Sequence, residues 1–201
     1  MKKTLILIAA IAFSAIESYA QSAKEMQAEI KGAYTLDDNG NVTYTKVIEA
    51  PGLSKEDIFS RAQNYFTYNY GSGKSVIQTE DKDRGLLVGK GIYVNVHVGV
   101  SLVSVAVDAW HILRIDVKDG RARAVITLTQ YDKTITGGNT PPVNRTTFIS
   151  QEYPINPKGD SKTIMMKAFY KSHHAALNTL NKLEKAILEG TTSSAIENAD
   201  W

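Results

Sequence analysis

Ile92, Val94, Val96, Val98 and Val100 alternate with Tyr93, Asn95, His97 and Gly99. This is the two-residue period of a β-strand, and it predicts a strand running from Leu86 to Val98. The apolar phase then moves to Val103, Val105 and Val107, which predicts a turn or bulge near residues 99–102. A further strand runs to about Val117. Asp119-Gly120 follows as a two-residue hairpin turn in which glycine supplies the positive φ, and Arg121 to Tyr131 returns as the partner strand. Upstream, Val42 to Glu49 is rich in branched and aromatic residues and reads as the first strand, entered through the turn Asp38–Asn41 and stopped by Ala50-Pro51-Gly52. Ser75 to Thr79 reads as a short strand, with Glu80–Gly85 as a charged turn after it.

Helical spacing occurs twice. Ser54 is placed to cap a helix whose first turn carries Glu56 and Asp57, the charges that suit its positive end. Ile58, Phe59, Ala62, Tyr65 and Phe66 form its apolar stripe, and Gly71 supplies a stop. A longer helix starts near Ser161, with Met165, Phe169, Ala176, Leu180, Leu183 and Ile187 on one face, and ends at Gly190. The order is strand, helix, four strands, helix. That order predicts an α+β fold, an antiparallel sheet with two helices on one face.

The N-terminus follows a different pattern. Lys2 and Lys3 precede an unbroken apolar run from Leu5 to Phe13, and Ser18-Tyr19-Ala20 offers small residues where a signal peptidase reads them. An export signal over residues 1–20 is expected, cleaved between Ala20 and Gln21, with a periplasmic or secreted product. The apolar run is too short for a bilayer, which takes about 20 residues, so no stable membrane anchor is expected after cleavage. The chain has no cysteine, which closes the lipoprotein route and leaves the fold to be held by its core alone. The domain plan is then a signal at 1–20, a polar leader at 21–41 that is weakly helical over Gln21 to Lys31, one α+β domain at 42–190 including a loop-like stretch at 132–160, and a flexible tail at 191–201. Within the 132–160 stretch, Thr146 to Ser150 reads as a short extra strand.

The whole chain carries a formal charge of +2. Removal of Lys2, Lys3 and Glu17 with the signal leaves 21 basic against 20 acidic residues, a formal charge of +1. With no basic run of five residues, the electrostatic footprint of nucleic-acid binding is missing and no nucleic-acid partner is expected. The 43% hydrophobic content argues for a folded chain.

Candidate chemistry is sparse. Gly71-Ser72-Gly73-Lys74-Ser75 looks like the end of a phosphate loop, but Tyr68 stands where the first glycine is needed, and the helix precedes the loop instead of following it. The four histidines, His97, His111, His173 and His174, show no metal-ligand spacing. His97 and His111 could face each other across a hairpin, a two-ligand start lacking a third; two ordinary strand histidines are the alternative. No nucleophile elbow occurs, and the turn carboxylates Asp81, Asp83 and Asp119 read as solvating groups. No catalytic residue, cofactor or metal ligand is assigned. Tyr65, Tyr68 and Tyr70 are either core residues or, with Lys74, a stacking platform. The stretch Gly91 to Val107 carries no charge. It reads as sheet buried beneath the helices or as an apolar hairpin that meets a partner, with Tyr93, Val96, His97, Val98 and Val100 as its candidate interaction surface.

Three motifs in order carry a resemblance. They are Tyr44–Glu49 followed by Ala50-Pro51-Gly52-Leu53-Ser54-Lys55-Glu56; Val76–Lys82 followed by Gly85 and Gly89-Lys90-Gly91; and Ile115–Arg121. Together they resemble a domain family of unknown function found in exported bacterial proteins, over roughly Val42 to Tyr131. The resemblance implies a fold like that of the TATA-binding protein and brings no catalytic residues, because the family has none assigned. It implies nothing about DNA, since fold does not fix function.

Two functional expectations follow. The first is a non-enzymatic exported binding or interaction module whose partner is an envelope protein or a small apolar ligand. The second is a hydrolase-like enzyme with a site between the sheet and the 132–160 stretch.

Overall fold

The computed structural model describes residues 21–70, 76–100, 103–137 and 141–190. The expected export signal at 1–20, the Gly71–Ser75 phosphate-loop lookalike and the expected tail at 191–201 lie outside the described residues, as does the side chain of Val100.

In chain order the elements are α1 (Ala23–Glu29), β1 (Thr35–Leu36), β2 (Val42–Glu49), α2 (Lys55–Asn69), β3 (Ile77–Asp81), β4 (Leu86–Val100), β5 (Val103–Lys118), β6 (Arg121–Gly137), β7 (Val143–Phe148) and α3 (Lys162–Glu189). Every strand pairing is antiparallel, in the order β1-β2-β6-β5-β4-β3, with β7 also on β6. The fold class is the α+β arrangement expected from the pattern. β6 is long enough to carry two strands end to end on one edge: β2 pairs with residues 121–128 and β7 with residues 130–135.

One face of the sheet is closed by α2 and α3. Val42, Tyr44 and Ile48 of β2, Ala122, Ala124, Ile126 and Leu128 of β6, and Leu113, Ile115 and Val117 of β5 are buried with the helix stripes. All six α3 residues expected on the inner face are buried, as are Ile58, Phe59, Ala62, Tyr65 and Phe66 of α2. Area removed from water at this scale is what holds a chain with no disulfide.

Two bulges set the faces. Thr129 is an extra residue between the pairs Trp110↔Gln130 and His111↔Leu128. Since side chains alternate, one extra residue flips the phase of β6, so burial passes from Leu128 to Tyr131. On β4 the shift lies between Tyr93 and His97. Asn95 there adopts φ 54°, and its amide donates to Asp108 Oδ1 at 2.6 Å. β4 therefore carries a bulge ahead of the shift expected near 99–102. Residues 101–102 of that expected turn lie outside the described residues, and the antiparallel pairing is described as far as Val100↔Ser104.

The valine stripe lies opposite to its simplest expectation. Ile92, Val94 and Val98 are exposed, whereas Gly91, Tyr93 and His97 face the helices. Val96, inside the bulge, is buried. Apolar character alone did not set the inner face, because the helix layer already carries large aromatic side chains that need small or flat partners on β4.

Three further segments differ from the sequence reading. Residues 21–41, read as a polar leader, contain α1 and β1. Ile30 is buried there, and Glu29 accepts from the Tyr170 hydroxyl of α3. About half of the 132–160 stretch is secondary structure, with β6 continuing to Gly137, β7 at Val143–Phe148 and a 3-10 turn at Ile149–Gln151. Asp119, read as a solvating turn carboxylate, accepts from the Lys55 amide at 2.8 Å. The β5–β6 turn is thereby docked on the start of α2, where Ser54 also accepts from the Asp57 amide at 3.1 Å.

Candidate functional site

Beyond Gly89 the outer edge of β4 is no longer paired with β3, apart from the Lys90 amide on the Val76 carbonyl. The last turn of α2 crosses β4 at this point. Gly89 and Gly91 leave a furrow for it. A Cβ on Gly89 would fall 2.4 Å from Phe66 Cε1, and one on Gly91 would fall 2.4 Å from Tyr70 Cε1. The two glycines are therefore fixed by close approach of aromatic rings. Neither has a positive φ.

Across the β4–β5 pair from Gly91 stands His111, 1% exposed. Its Nε2 is 3.0 Å from the Tyr70 hydroxyl, and its ring stacks on Tyr93 at 4.0 Å with an interplanar angle of 14°. Thr179 of α3 closes the cluster. Its hydroxyl donates to the Ala175 carbonyl at 2.9 Å, so Tyr93 must be the donor in the 2.9 Å bond between Tyr93 and Thr179. The Tyr65 hydroxyl donates to the Thr179 carbonyl at 3.2 Å.

The electrostatics follow from burial. Desolvation pulls the His111 pKa down to about 4, so the ring is neutral at neutral pH. Burial pushes the Tyr65 hydroxyl up to about 12 and raises Tyr70 and Tyr93 as well. His111 Nδ1 is buried with no hydrogen-bond partner among the described residues. If Tyr70 donates to Nε2, the ring proton sits on Nδ1 and meets no acceptor. If Nε2 donates to Tyr70, Nδ1 is a bare acceptor. Either tautomer leaves one nitrogen unmet, a condition that costs free energy in a folded protein.

This cluster floors a cleft of about 450 Å³ between the end of α2, β4 and α3. Asn69, Asn178, Lys90 and Lys182 stand around it, with Trp110 on the β5 side. The Lys90 ammonium lies 4.4 Å from the Trp110 ring centroid, and the Trp110 indole nitrogen donates to Asp132 Oδ2 at 2.6 Å. The size is within the ordinary range for ligand clefts, roughly 300–1,000 Å³. Chemically the floor suits stacking and hydrogen bonding. Its histidine is neutral, its tyrosines stay protonated, and no carboxylate lines the cleft among the described residues to orient a general base.

The four candidate interaction residues with described side chains do not share one surface, and the side chain of Val100 lies outside the described residues. Tyr93 belongs to the cleft floor, Val96 and His97 are buried, and Val98 is 52% exposed. His97 lies opposite Val107 and His111 opposite Gly91, so the two histidines do not face each other. Of the tyrosine trio, Tyr65 is core, Tyr68 is 49% exposed and Tyr70 lines the cleft. His173 meets the Tyr44 hydroxyl at 3.1 Å, while His174 points the other way, 3.6 Å from Glu29. No group of three or more metal-ligating side chains occurs among the described residues. Sequence reasoning missed Gly91, Thr179 and the role of His111. The pair of glycines two apart in an otherwise bulky strand was the available signal.

Residues 44–132 match a family described as a domain of unknown function (DUF4468) with TBP-like fold. A TBP-like protein from Parabacteroides distasonis aligns with a TM-score of 0.55 at 19% identity, covering 75% of this chain and 95% of that one. A DUF4468 family protein from Bacteroides ovatus aligns with a TM-score of 0.51 at 16% identity, covering 78% and 89% respectively. At these identities the likeness is one of fold. No curated protein matches the chain significantly. The chain thus resembles a bacterial family of unknown function with a TBP-like fold, over nearly the span its three motifs mark out. The matched segment runs from β2 into β6. It includes Tyr70, Tyr93 and His111 and leaves Thr179 and Lys182 of α3 outside.

Proposed function

We propose that this chain is an exported, non-enzymatic binding module and that its ligand site is the cleft between the end of α2, β4 and α3. The observation that carries the reading is the cleft of about 450 Å³ itself, floored by Tyr70, Tyr93 and a neutral, buried His111. Concave sites with an aromatic floor and a few polar groups are where small ligands bind. Catalysis is disfavoured because no described residue on that floor is a charged acid or base.

The Asn178 side chain is exposed on the α3 wall, so Asn178→Trp fills the cleft without touching the core. A small-molecule library screened by calorimetry should give hits that bind the wild type and fail with Asn178→Trp. Hits that bind both proteins equally would remove the cleft from the argument. Export is supported by the Lys2–Ala20 pattern and is tested by the intact mass of the protein recovered from the cell envelope. A chain beginning at Gln21 is expected; one retaining Met1 would sink the reading.

A second reading has its own observation. Val94, Val98 and Val103 at the β4–β5 tip are 65%, 52% and 44% exposed, the kind of apolar surface a protein partner covers. Val94→Asp with Val98→Asp leaves the core intact, and an envelope partner docking there would be released by the pair. An unchanged complex would exclude the tip.

A further inference from the structure

We infer that the cleft takes an extended peptide, bound as an added strand on the free edge of β4. This inference rests on the cleft being the ligand site. Lys90, Gly91, Ile92 and Tyr93 all line it. Consecutive strand residues point to opposite faces of a sheet. A cavity bordered by all four therefore runs along the edge of the strand, where the backbone is presented. The Lys90 amide donates away from β5, to the Val76 carbonyl at 2.7 Å. β4 stays in step with β5 from Gly89 to Tyr93, and backbone groups alternate in direction along a strand. The Ile92 N–H and C=O thus face the same way as those of Lys90, into the cleft. β3 does not reach them, because its pairing ends at Ile77↔Gly89. No turn or loop group among the described residues takes its place.

The occupant follows from what the edge offers. An unpaired donor and acceptor on an extended strand are matched by another extended backbone. β6 already carries two strands end to end on one edge, β2 and β7. On β4 the corresponding place beyond β3 is open. The stretch Gly91 to Val107 is uncharged. Lys46 and Glu49 on β2, Glu80 and Asp81 on β3, and Arg145 on β7 put charge on the other outer strands, a common guard against strand addition. The recess selects a single segment over a second copy of this chain. The end of α2 and α3 wall the inner side of the edge, and a copy extending the same sheet would bring its own helices against them. Side chains of an added strand alternate between two surfaces. Those turned inward meet Tyr70, Tyr93 and Asn178, and those turned outward meet Ile92 and Trp110. An uncharged peptide in which small polar and branched apolar residues alternate suits both.

The test uses the full chain and the peptide acetyl-Thr-Val-Thr-Val-Thr-amide, measured by calorimetry beside the same peptide N-methylated at its three central residues. Methylation keeps every side chain and removes the donors that an added strand needs. The plain peptide is expected to bind at least about tenfold more tightly than the methylated one. Ile92→Pro removes the outward N–H and leaves the bonds to β5 in place. It should weaken the plain peptide at least about tenfold, with amide exchange in β4 and β5 unchanged. If the substitution loosens that ladder, the methylated peptide decides alone. Equal binding of the two peptides, abolished by Asn178→Trp, would overturn strand addition while leaving the cleft as the site. Peptide binding that survives Asn178→Trp would overturn the cleft itself. No binding at millimolar concentration would overturn the peptide class, with the library screen still deciding the cleft. A dimer in sedimentation that Ile92→Pro dissociates would overturn the choice of occupant in favour of a second copy.

Discussion

Gly91 and His111 stand opposite each other on β4 and β5, and a methyl group on Gly91 would come within 2.8 Å of the imidazole. The absence of a side chain at one position is what lets the other lie flat against Tyr93 and reach Tyr70. Gly91→Ala must push two rings out of a packed cluster and is expected to cost about 2 kcal/mol. The urea midpoint should drop with an unchanged slope. Wild-type stability in this variant would show that the cluster is looser than its geometry.

Acid should weaken the fold through the same histidine. The pKa of His111 is about 4 in the folded chain against an ordinary 6.5. As pH falls through this window the unfolded chain takes up the proton first, so stability rises with pH between about 4 and 6.5 and is lost on acidification. The full effect is about 3 kcal/mol. His97 and His173 are lowered by burial too and act in the same direction. His111→Phe should flatten the wild-type slope of unfolding free energy against pH in that range. A slope unchanged by the substitution would assign the acid sensitivity elsewhere.

Lys133 and Glu152 form a 2.5 Å ion pair in which the carboxylate side chain is 7% exposed. Lys133→Met leaves that carboxylate without its cation and should cost about 3 kcal/mol. The double variant Lys133→Met, Glu152→Leu should recover most of the loss. Additive losses in thermal unfolding would mean that the pair is not coupled.

The Asp119 carboxylate caps α2 from another element, through the Lys55 amide. Asp119→Ala should lower stability by about 1 kcal/mol. Amide exchange should quicken in the first turn of α2 and leave the β5–β6 ladder protected. Loosening of the whole hairpin instead would assign Asp119 to the turn alone.

Much of the fold was legible because its determinants are local. β2 was read at its observed bounds, the Asp119-Gly120 hairpin is where the pattern put it, and the α2 and α3 stripes are buried as spaced. The extension of β6 beyond Tyr131 was not legible, because Thr129 breaks the two-residue period and Gly137-Gly138 reads as loop. Nor was the docking of α1, whose short polar sequence gains its place from contacts with α3.

The sequence by itself determined the periods, the order of elements and the strong turns, since each depends on residues within a few positions of one another. Only the tertiary structure decided which face of β4 is inner. A two-residue period defines two faces and does not say which one a helix will cover. Here the covering helices bring Phe66, Tyr70 and Thr179, so the face with Gly89, Gly91 and Tyr93 turns inward and the valines face out. The candidate site exists for the same reason: Tyr70, His111 and Thr179 are remote in sequence, and packing across three elements makes them one cluster.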